Sequence, residues 1–495
     1  MRVTLAFLFL SVACTLAAEP EFPLTADSKP QADVPKGTMI KDTYTAKDGS
    51  VFPGTQRDYQ IYLPAGHDAS KPAAFMVFQD GVIYQAPVVF DNLIAKKDIP
   101  PLVGIFIKPG IVPAANDNAL PRFNRSYEYD SITPTYSQFL IDEFLPAIEA
   151  KHGLKLSNDP NHAAISGNSS GGICAFMVAW HRPDRFRRVF TGVGTYVGIH
   201  GADQLPVLVR KFEPKPLRVF LQSGSGDNNL YCGDWWMANQ MMERSLTWAG
   251  YDVNHAWGEG GHNQKHASQI FPDVLRWLWR DWQTNIEVKA NPKGESKWKG
   301  YEVVGAGEWE DAKLGKAEHL HVSPEGVVKS ADEANSRSYN QKGTHFYKLP
   351  GLHAESNTTL SPDQTLLYAT VPMSNYLFSL RVLPDGESGY PQPFVKLEPK
   401  PSHDEYEYAQ ACGLSVDTNG WLYVATALGI QVCDQAGRVN FILPTPKQPL
   451  DVCFGGKDLS ELFIACGDTI YKRPTKAKGV VSGQQPPIKP PLPKL

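Results

Sequence analysis

Ser169 stands in Gly167-Asn168-Ser169-Ser170-Gly171, a Gly-x-Ser-x-Gly pentapeptide. It lies between an apolar run, Ala163 to Ser166, and a segment of helical character, Gly172 to Trp180. A serine on so tight a strand-to-helix turn carries its hydroxyl clear of the sheet, and flanking glycines remove Cβ atoms that would crowd the corner. The helix that follows offers unpaired N–H groups to a developing oxyanion. In a chain with 41 glycines the pentapeptide also arises by chance in a surface loop, so its surroundings decide.

A serine hydroxyl is a poor nucleophile at neutral pH; it needs a base, and the base needs an acid to orient it. In one chain order for such sites, acid and then histidine follow the serine. Arg218 to Ser223 reads as a strand, and the Gly224-Ser225-Gly226-Asp227-Asn228-Asn229 loop at its end puts Asp227 where the acid belongs. Asp234 is the alternative, though it also reads as the N-cap of a helix beginning at Trp235. The base candidate is His262 in Gly258-Glu259-Gly260-Gly261-His262-Asn263, with His266 a competitor four residues on.

The elements that must position these residues alternate. Strands are expected at Thr38 to Tyr44, Arg57 to Leu63, Ala73 to Phe78, Leu102 to Ile107 and Tyr251 to Trp257. Helices are expected at Tyr136 to Ala150, Asp234 to Gly250 and Phe271 to Trp282. Apolar runs stopped by Gly or Pro suit central parallel strands, and the alternation implies a three-layer α/β sandwich over residues 37–285. Residues 19–36 read as a flexible lead-in and 286–300 as a charged linker. From 301 to 475 short strands recur with turns such as Ser361-Pro362-Asp363-Gln364 and Asp417-Thr418-Asn419-Gly420, the texture of an all-β propeller. Residues 476–495 are proline-rich and read as an extended tail.

Two domains suit 495 residues, and 48 basic against 52 acidic side chains call for no nucleic-acid partner. Arg2, the apolar run Val3 to Val12 and the small Ala17-Ala18 read as a signal peptide over residues 1–18. Lipoprotein processing at Cys14 is the runner-up, with a poor lipobox. No later segment is long and apolar enough for stable membrane insertion, so a secreted or periplasmic protein is expected. Loss of Cys14 leaves six cysteines with no CxxC and no zinc spacing; Cys174 reads as a small buried hydrophobe.

Residues 37–283 resemble the enterochelin-esterase/esterase-D group of α/β hydrolases, which includes carbohydrate esterases. The carriers are Phe78-Gln79-Asp80-Gly81, Arg125 to Asp130, Gly167 to Gly172, His181 to Phe186, Gly226-Asp227 and Trp257 to His262. The resemblance implies hydrolysis of a small-molecule or polysaccharide-borne ester through an acyl-enzyme, with neither metal nor cofactor. Ser169 would attack, His262 would move the proton and Asp227 would fix the imidazole. The Ser170 N–H would form half of the oxyanion hole and Gly81 or Val82 the other half. Arg125 and Glu128 either pair with each other or orient a polar substrate. Trp235, Trp236 and Tyr231 either stack on a sugar or aromatic acyl group or belong to the core. The acyl group itself (acetyl, feruloyl, glucuronoyl or a siderophore ester) stays open.

Residues 301–473 resemble gluconolactonase/senescence-marker-protein propellers, through Leu360 to Asp363, Gly413 to Asp417 and Phe454 to Asp458. That family implies a divalent cation on Glu, Asn and Asp. By register these fall at Glu318, at Ser356 or Asn357, and at Cys412, a poor ligand for a hard cation. The segment is also short for six blades. A reduced propeller that binds or packs is therefore expected, with a metal-dependent lactonase or a non-catalytic binding protein as the alternatives for the chain.

Overall fold

The computed structural model describes residues 21–288, 296–331, 357–371, 373–402 and 408–493. The expected signal peptide and Ser356 lie outside the described residues.

In the first half, β1 (Thr38–Thr45), β2 (Gln56–Leu63), β3 (Ala74–Gln79), α1 (Ala86–Ala95), β4 (Leu102–Ile107), β5 (Ile111–Val112) and β6 (Arg122–Phe123) come first. Then follow α2 (Arg125–Tyr129), α3 (Thr135–Gln138), α4 (Leu145–His152), β7 (Ala163–Asn168), α5 (Ser170–His181), β8 (Arg188–Gly192) and α6 (Leu205–Lys211). β9 (Arg218–Gly226), the ribbon β10 (Asn229–Leu230) and β11 (Gly233–Asp234), α7 (Trp235–Ala249), β12 (Asp252–Gly261) and α8 (Lys265–Trp279) complete it. The sheet order is β12-β9-β8-β7-β3-β4-β2-β5-β6, with β1 on β2. The run from β12 to β4 is parallel, and β1, β2, β5 and β6 form an antiparallel flank.

Strands β3, β4, β7 and β8 are buried along their whole length, which explains their largely apolar sequence. Alternate side chains serve opposite layers. Phe75, Val77, Ile165, Val189 and Leu221 pack toward α5 and α7. Met76, Phe78, Ala164, Phe190 and Phe220 pack toward α1 and α8. The fold is the expected three-layer α/β sandwich.

Several details differ from the sequence expectation. The helix expected over Tyr136 to Ala150 contains a wider π-type turn at Phe139–Phe144 that joins α3 to α4. α8 begins at Lys265, not Phe271, and carries Pro272 inside it. The lead-in is not loose: Asp27 pairs with Arg276 and Lys96, its carbonyl accepts from Asn92, and Phe22 stacks on His266 at 4.6 Å. These are charge and ring partners drawn from α1 and α8, invisible from residues 19–36 alone.

Apart from short helical turns at Gly300–Val303 and Lys457–Leu459, the regular elements described in the second half are all strands. Four antiparallel sheets follow one another in the propeller-like manner. Glu310–Asp311, from the start of this half, pairs with Ile470–Pro474 near its end and so closes the unit. The tail is extended but not free. Gly479–Val480 adds a strand to Leu414–Asp417, and Ile488 N–H donates to the Pro362 carbonyl. Trp298, in the expected linker, is buried against Phe441 and donates to the Lys211 carbonyl at 2.8 Å. The halves also meet at a Phe212–Ile442 bridge and at Arg473–Glu213, 3.2 Å.

Candidate active site

Ser169 occupies the corner between β7 and α5 with φ +58° and ψ −122°. A non-glycine residue holds such a conformation only when its surroundings impose it. Here Ser169 N–H donates to the Gly192 carbonyl at 2.8 Å, and Thr195 N–H donates to the Ser169 carbonyl at 3.2 Å. A Cβ on Gly167 would collide with the Gly171 carbonyl; one on Gly171 would press on Gln79 and Asp80. The two glycines thus let the strand, the helix and the β3 loop converge on one serine.

His262 Nε2 lies 2.7 Å from Ser169 Oγ, and His262 Nδ1 lies 2.6 Å from Asp227 Oδ1. Asp227 Oδ2 accepts from Ser223 Oγ at 2.7 Å, and Oδ1 also accepts from Asn228 N–H at 2.8 Å. The acid is therefore fully hydrogen-bonded and its side chain buried, while the imidazole is about one-fifth exposed. The meeting of the two loops has a backbone cause. β9 and β12 pair in parallel to Gly258–Gly224, slip by a bulge, and rejoin at Gly261–Gly226. A side chain on Gly224 would strike Gly260, so only glycine permits that approach.

The competing residues are placed elsewhere. Asp234 caps α7, accepting from Met237 N–H at 3.0 Å. His266 is buried beneath Phe22 and contacts Gln222 Nε2 at 3.2 Å, and burial lowers its pKa.

The substrate-side expectations need correction. Arg125 and Glu128 do not pair. Arg125 makes a two-pronged bond to Asp80, Nε–Oδ1 and Nη2–Oδ2 both at 2.7 Å. Burial would lower its pKa, but Asp80 raises it above the usual guanidinium value. Glu128 is wholly buried against Arg57 at 2.9 and 3.1 Å, so it faces no substrate. Gly81 donates its N–H to the Ile107 carbonyl at 3.1 Å and is not available to an oxyanion. Among the described residues none accepts from Val82 N–H, which leaves Val82 as the candidate of that pair. Ser170 opens α5, where first-turn N–H groups lack intrahelical partners.

Trp235 is buried and stands edge-on to His262 at 5.6 Å, so it is wall and not stacking platform. Trp236 is half-buried, edge-on to Trp257 at 5.4 Å, and Tyr231 at the ribbon tip is 95% exposed. Two contributors carried no sequence signal: Ser223, and Thr195, whose Oγ1 lies 3.3 Å from Ser169 Oγ and 3.2 Å from Trp235 Nε1.

Among the described residues at the expected cation positions, Glu318 and Cys412 do not converge on a divalent ion. Glu318 is exposed, and Cys412 Sγ contacts the Gln410 carbonyl at 3.5 Å. The nearby carboxylate of Asp451 accepts from the amides of Leu320 and Val452, both at 2.8 Å. Among the described residues no three His, Cys, Asp or Glu side chains converge as a metal site. The six cysteines there are unpaired, Cys174 buried as expected. No helix among them is long and apolar enough to cross a membrane.

Residues 50–275 match the family model described as a putative esterase, and residues 339–467 match one described as an SMP-30/gluconolactonase/LRE-like region. The iron(III) enterobactin esterase of Dickeya dadantii (strain 3937) is 30% identical over 152 residues, covering 28% of this chain and 33% of that protein. The chain thus spans about a third of the length of that curated relative. Among solved structures, the enterobactin esterase FES from Shigella flexneri aligns over 51% of this chain and 61% of its own, at 19% identity and TM-score 0.40. The ferulic acid esterase AmCE1/Fae1A from Anaeromyces mucronatus aligns over 53% and 95%, at 19% identity and TM-score 0.38.

Proposed function

For a chain that joins an esterase-family segment to an SMP-30/gluconolactonase-like one, we propose an exported serine esterase whose chemistry resides in residues 37–285. The observation that carries this is the unbroken contact from Ser169 Oγ through His262 to Asp227, at 2.7 and 2.6 Å, with the serine held at positive φ.

His262 Nε2 takes the Ser169 proton as Oγ bonds to the ester carbonyl carbon, and the carbonyl π pair moves onto oxygen. Ser170 and Val82 N–H groups receive that oxyanion. On collapse the C–O bond to the alcohol breaks, and His262 returns the proton to the leaving oxygen. Water, deprotonated by the same imidazole, then releases the acid from Ser169. Asp227 keeps the proton of the neutral imidazole on Nδ1, leaving Nε2 as acceptor.

The substrate class is a carboxylic ester of a sugar, phenolic acid or siderophore. The curated relative, an iron(III) enterobactin esterase, supports the siderophore end of that range. Residues 301–475 serve as a binding or packing unit, and residues 1–18 as the export signal.

Ser169→Ala should abolish hydrolysis of p-nitrophenyl acetate while circular dichroism and melting stay unchanged. Wild-type turnover should persist in chelator. Activity retained by Ser169→Ala sinks the assignment; activity lost on chelation would move the chemistry to a metal.

A further inference from the structure

Thr195 reaches Ser169 by a strained route. Val193, just after β8, has φ +40°, a value that a β-branched residue adopts only under constraint. Its N–H is held by the Gln222 carbonyl at 2.7 Å. The next carbonyl, Gly194, accepts from Asn239 Nδ2 at 2.9 Å, and the same Asn239 nitrogen reaches the Trp235 carbonyl at 2.9 Å. This clamp sets Thr195, 1% exposed, between the serine and the indole. Such strain at a site is a reason to ask what the displaced residue does.

The direction of each hydrogen bond follows from donor chemistry. Trp235 Nε1–H can only donate, so Thr195 Oγ1 accepts from it. At the other end His262 Nε2 must accept from Ser169 if the serine is to be deprotonated there. Ser169 Oγ is then left as the acceptor for the Thr195 proton. The reverse orientation, with Ser169 donating to Thr195, strands the Thr195 proton: among the described residues its Oγ1 has only these two side-chain partners. It would also turn the serine proton away from its base. A buried hydroxyl hydrogen without an acceptor is costly, so the chain runs one way.

We propose that Thr195 is a positioning residue: its hydroxyl, aligned by the Trp235 N–H, donates to Ser169 Oγ and holds the serine proton toward His262. This rests on the esterase reading and deepens it. The threonine touches neither ester nor oxyanion; it acts by fixing which way the nucleophile's proton points. As that proton leaves, the same donation faces the charge gathering on Oγ.

The test uses the full-length chain with p-nitrophenyl acetate and a fluorophosphonate label. Thr195→Val keeps the shape and removes the hydroxyl; kcat and the labelling rate should fall together about tenfold, with KM unchanged. Thr195→Ser should restore most of both. Trp235→Phe keeps the ring against His262 but loses the N–H, and should lower kcat roughly threefold. In the Thr195→Val background Trp235→Phe should lower kcat no further. That double variant, with no indole N–H left unpaired, should regain stability lost by Thr195→Val yet stay slow.

Thr195→Val at wild-type kcat, failure of serine to rescue, or losses that multiply in the double variant each overturn the proposal. If Thr195→Val does not fold, an unchanged kcat in Trp235→Phe does so alone. Turnover surviving in Ser169→Ala sinks the esterase reading, whereas a fast Thr195→Val beside a dead Ser169→Ala sinks only this inference.

Discussion

Replacing Glu128 by glutamine asks whether that carboxylate braces the fold or greets a substrate. Its oxygens lie 2.9 and 3.1 Å from Arg57 Nη1 and Nη2, both side chains are 0% exposed, and Gly110 N–H adds a bond at 3.1 Å. The guanidinium also sits 4.0 Å from the centre of the Phe139 ring. Glutamine keeps the volume but leaves the arginine charge uncompensated in a dry site, with an amide group turned toward its donors. Removing one member of a buried pair costs about 3–5 kcal/mol, whereas exchanging both for apolar groups of similar volume is near neutral. At about 2–4 °C per kcal/mol for a unit of roughly 250 residues, the melting transition of the α/β half should fall by about 6–20 °C. Arg57→Met with Glu128→Leu should melt above Glu128→Gln alone. Scanning calorimetry reads the transition, and kcat/KM per folded molecule should stay within about twofold at 25 °C. A shift under about 2 °C, less than 1 kcal/mol, refutes the bracing argument. So does a double variant weaker than the single. A raised KM at unchanged melting would return Glu128 to the substrate.

Asp227→Asn should keep the fold and lower kcat about a thousandfold or more, because the amide no longer enforces the Nδ1–H tautomer. Asp234→Asn should leave kcat within about twofold, since asparagine caps a helix as well as aspartate; an equal loss in both variants would reopen the choice of acid. His181 donates from Nε2 to the Ile132 carbonyl at 3.0 Å, and its pKa is pushed down to about 4 by burial, with Lys215 and Lys400 adding repulsion. The unfolded chain, with this histidine near 6.5, takes the proton first. Stability is therefore full above that pH and is lost as pH falls toward 4. The loss between about pH 6.5 and 4.5 is on the order of 2 kcal/mol. Melting temperatures across that range should fall less steeply in His181→Gln, and parallel curves would refute the linkage.

The β7–Ser169–α5 corner was legible because glycine spacing and apolar runs are local signals. The partners of Arg125 and Glu128 were not. Three residues apart on one helical turn, they look like a pair, yet Asp80 and Arg57, distant in sequence, claim them. Gly81 failed as an oxyanion donor for a similar reason: its N–H is taken by the end of β4, a fact of strand adjacency. Thr195 carries no motif, since a hydroxyl matters here only because a strained Val193 turns it toward the serine. α8 was placed six residues late because its first turns are polar and Pro272 suits the first turn of a helix, although the buried faces of Ala267 and Phe271 pull the preceding residues into it.

The pairing of Glu310–Asp311 with Ile470–Pro474 ties the start of the second half to a strand roughly 160 residues later by backbone hydrogen bonds. The Phe212–Ile442 bridge, the Arg473–Glu213 pair and buried Trp298 also join this half to the α/β half, so cutting it away would bare apolar and charged surface beside the strands that carry Ser169, Asp227 and His262.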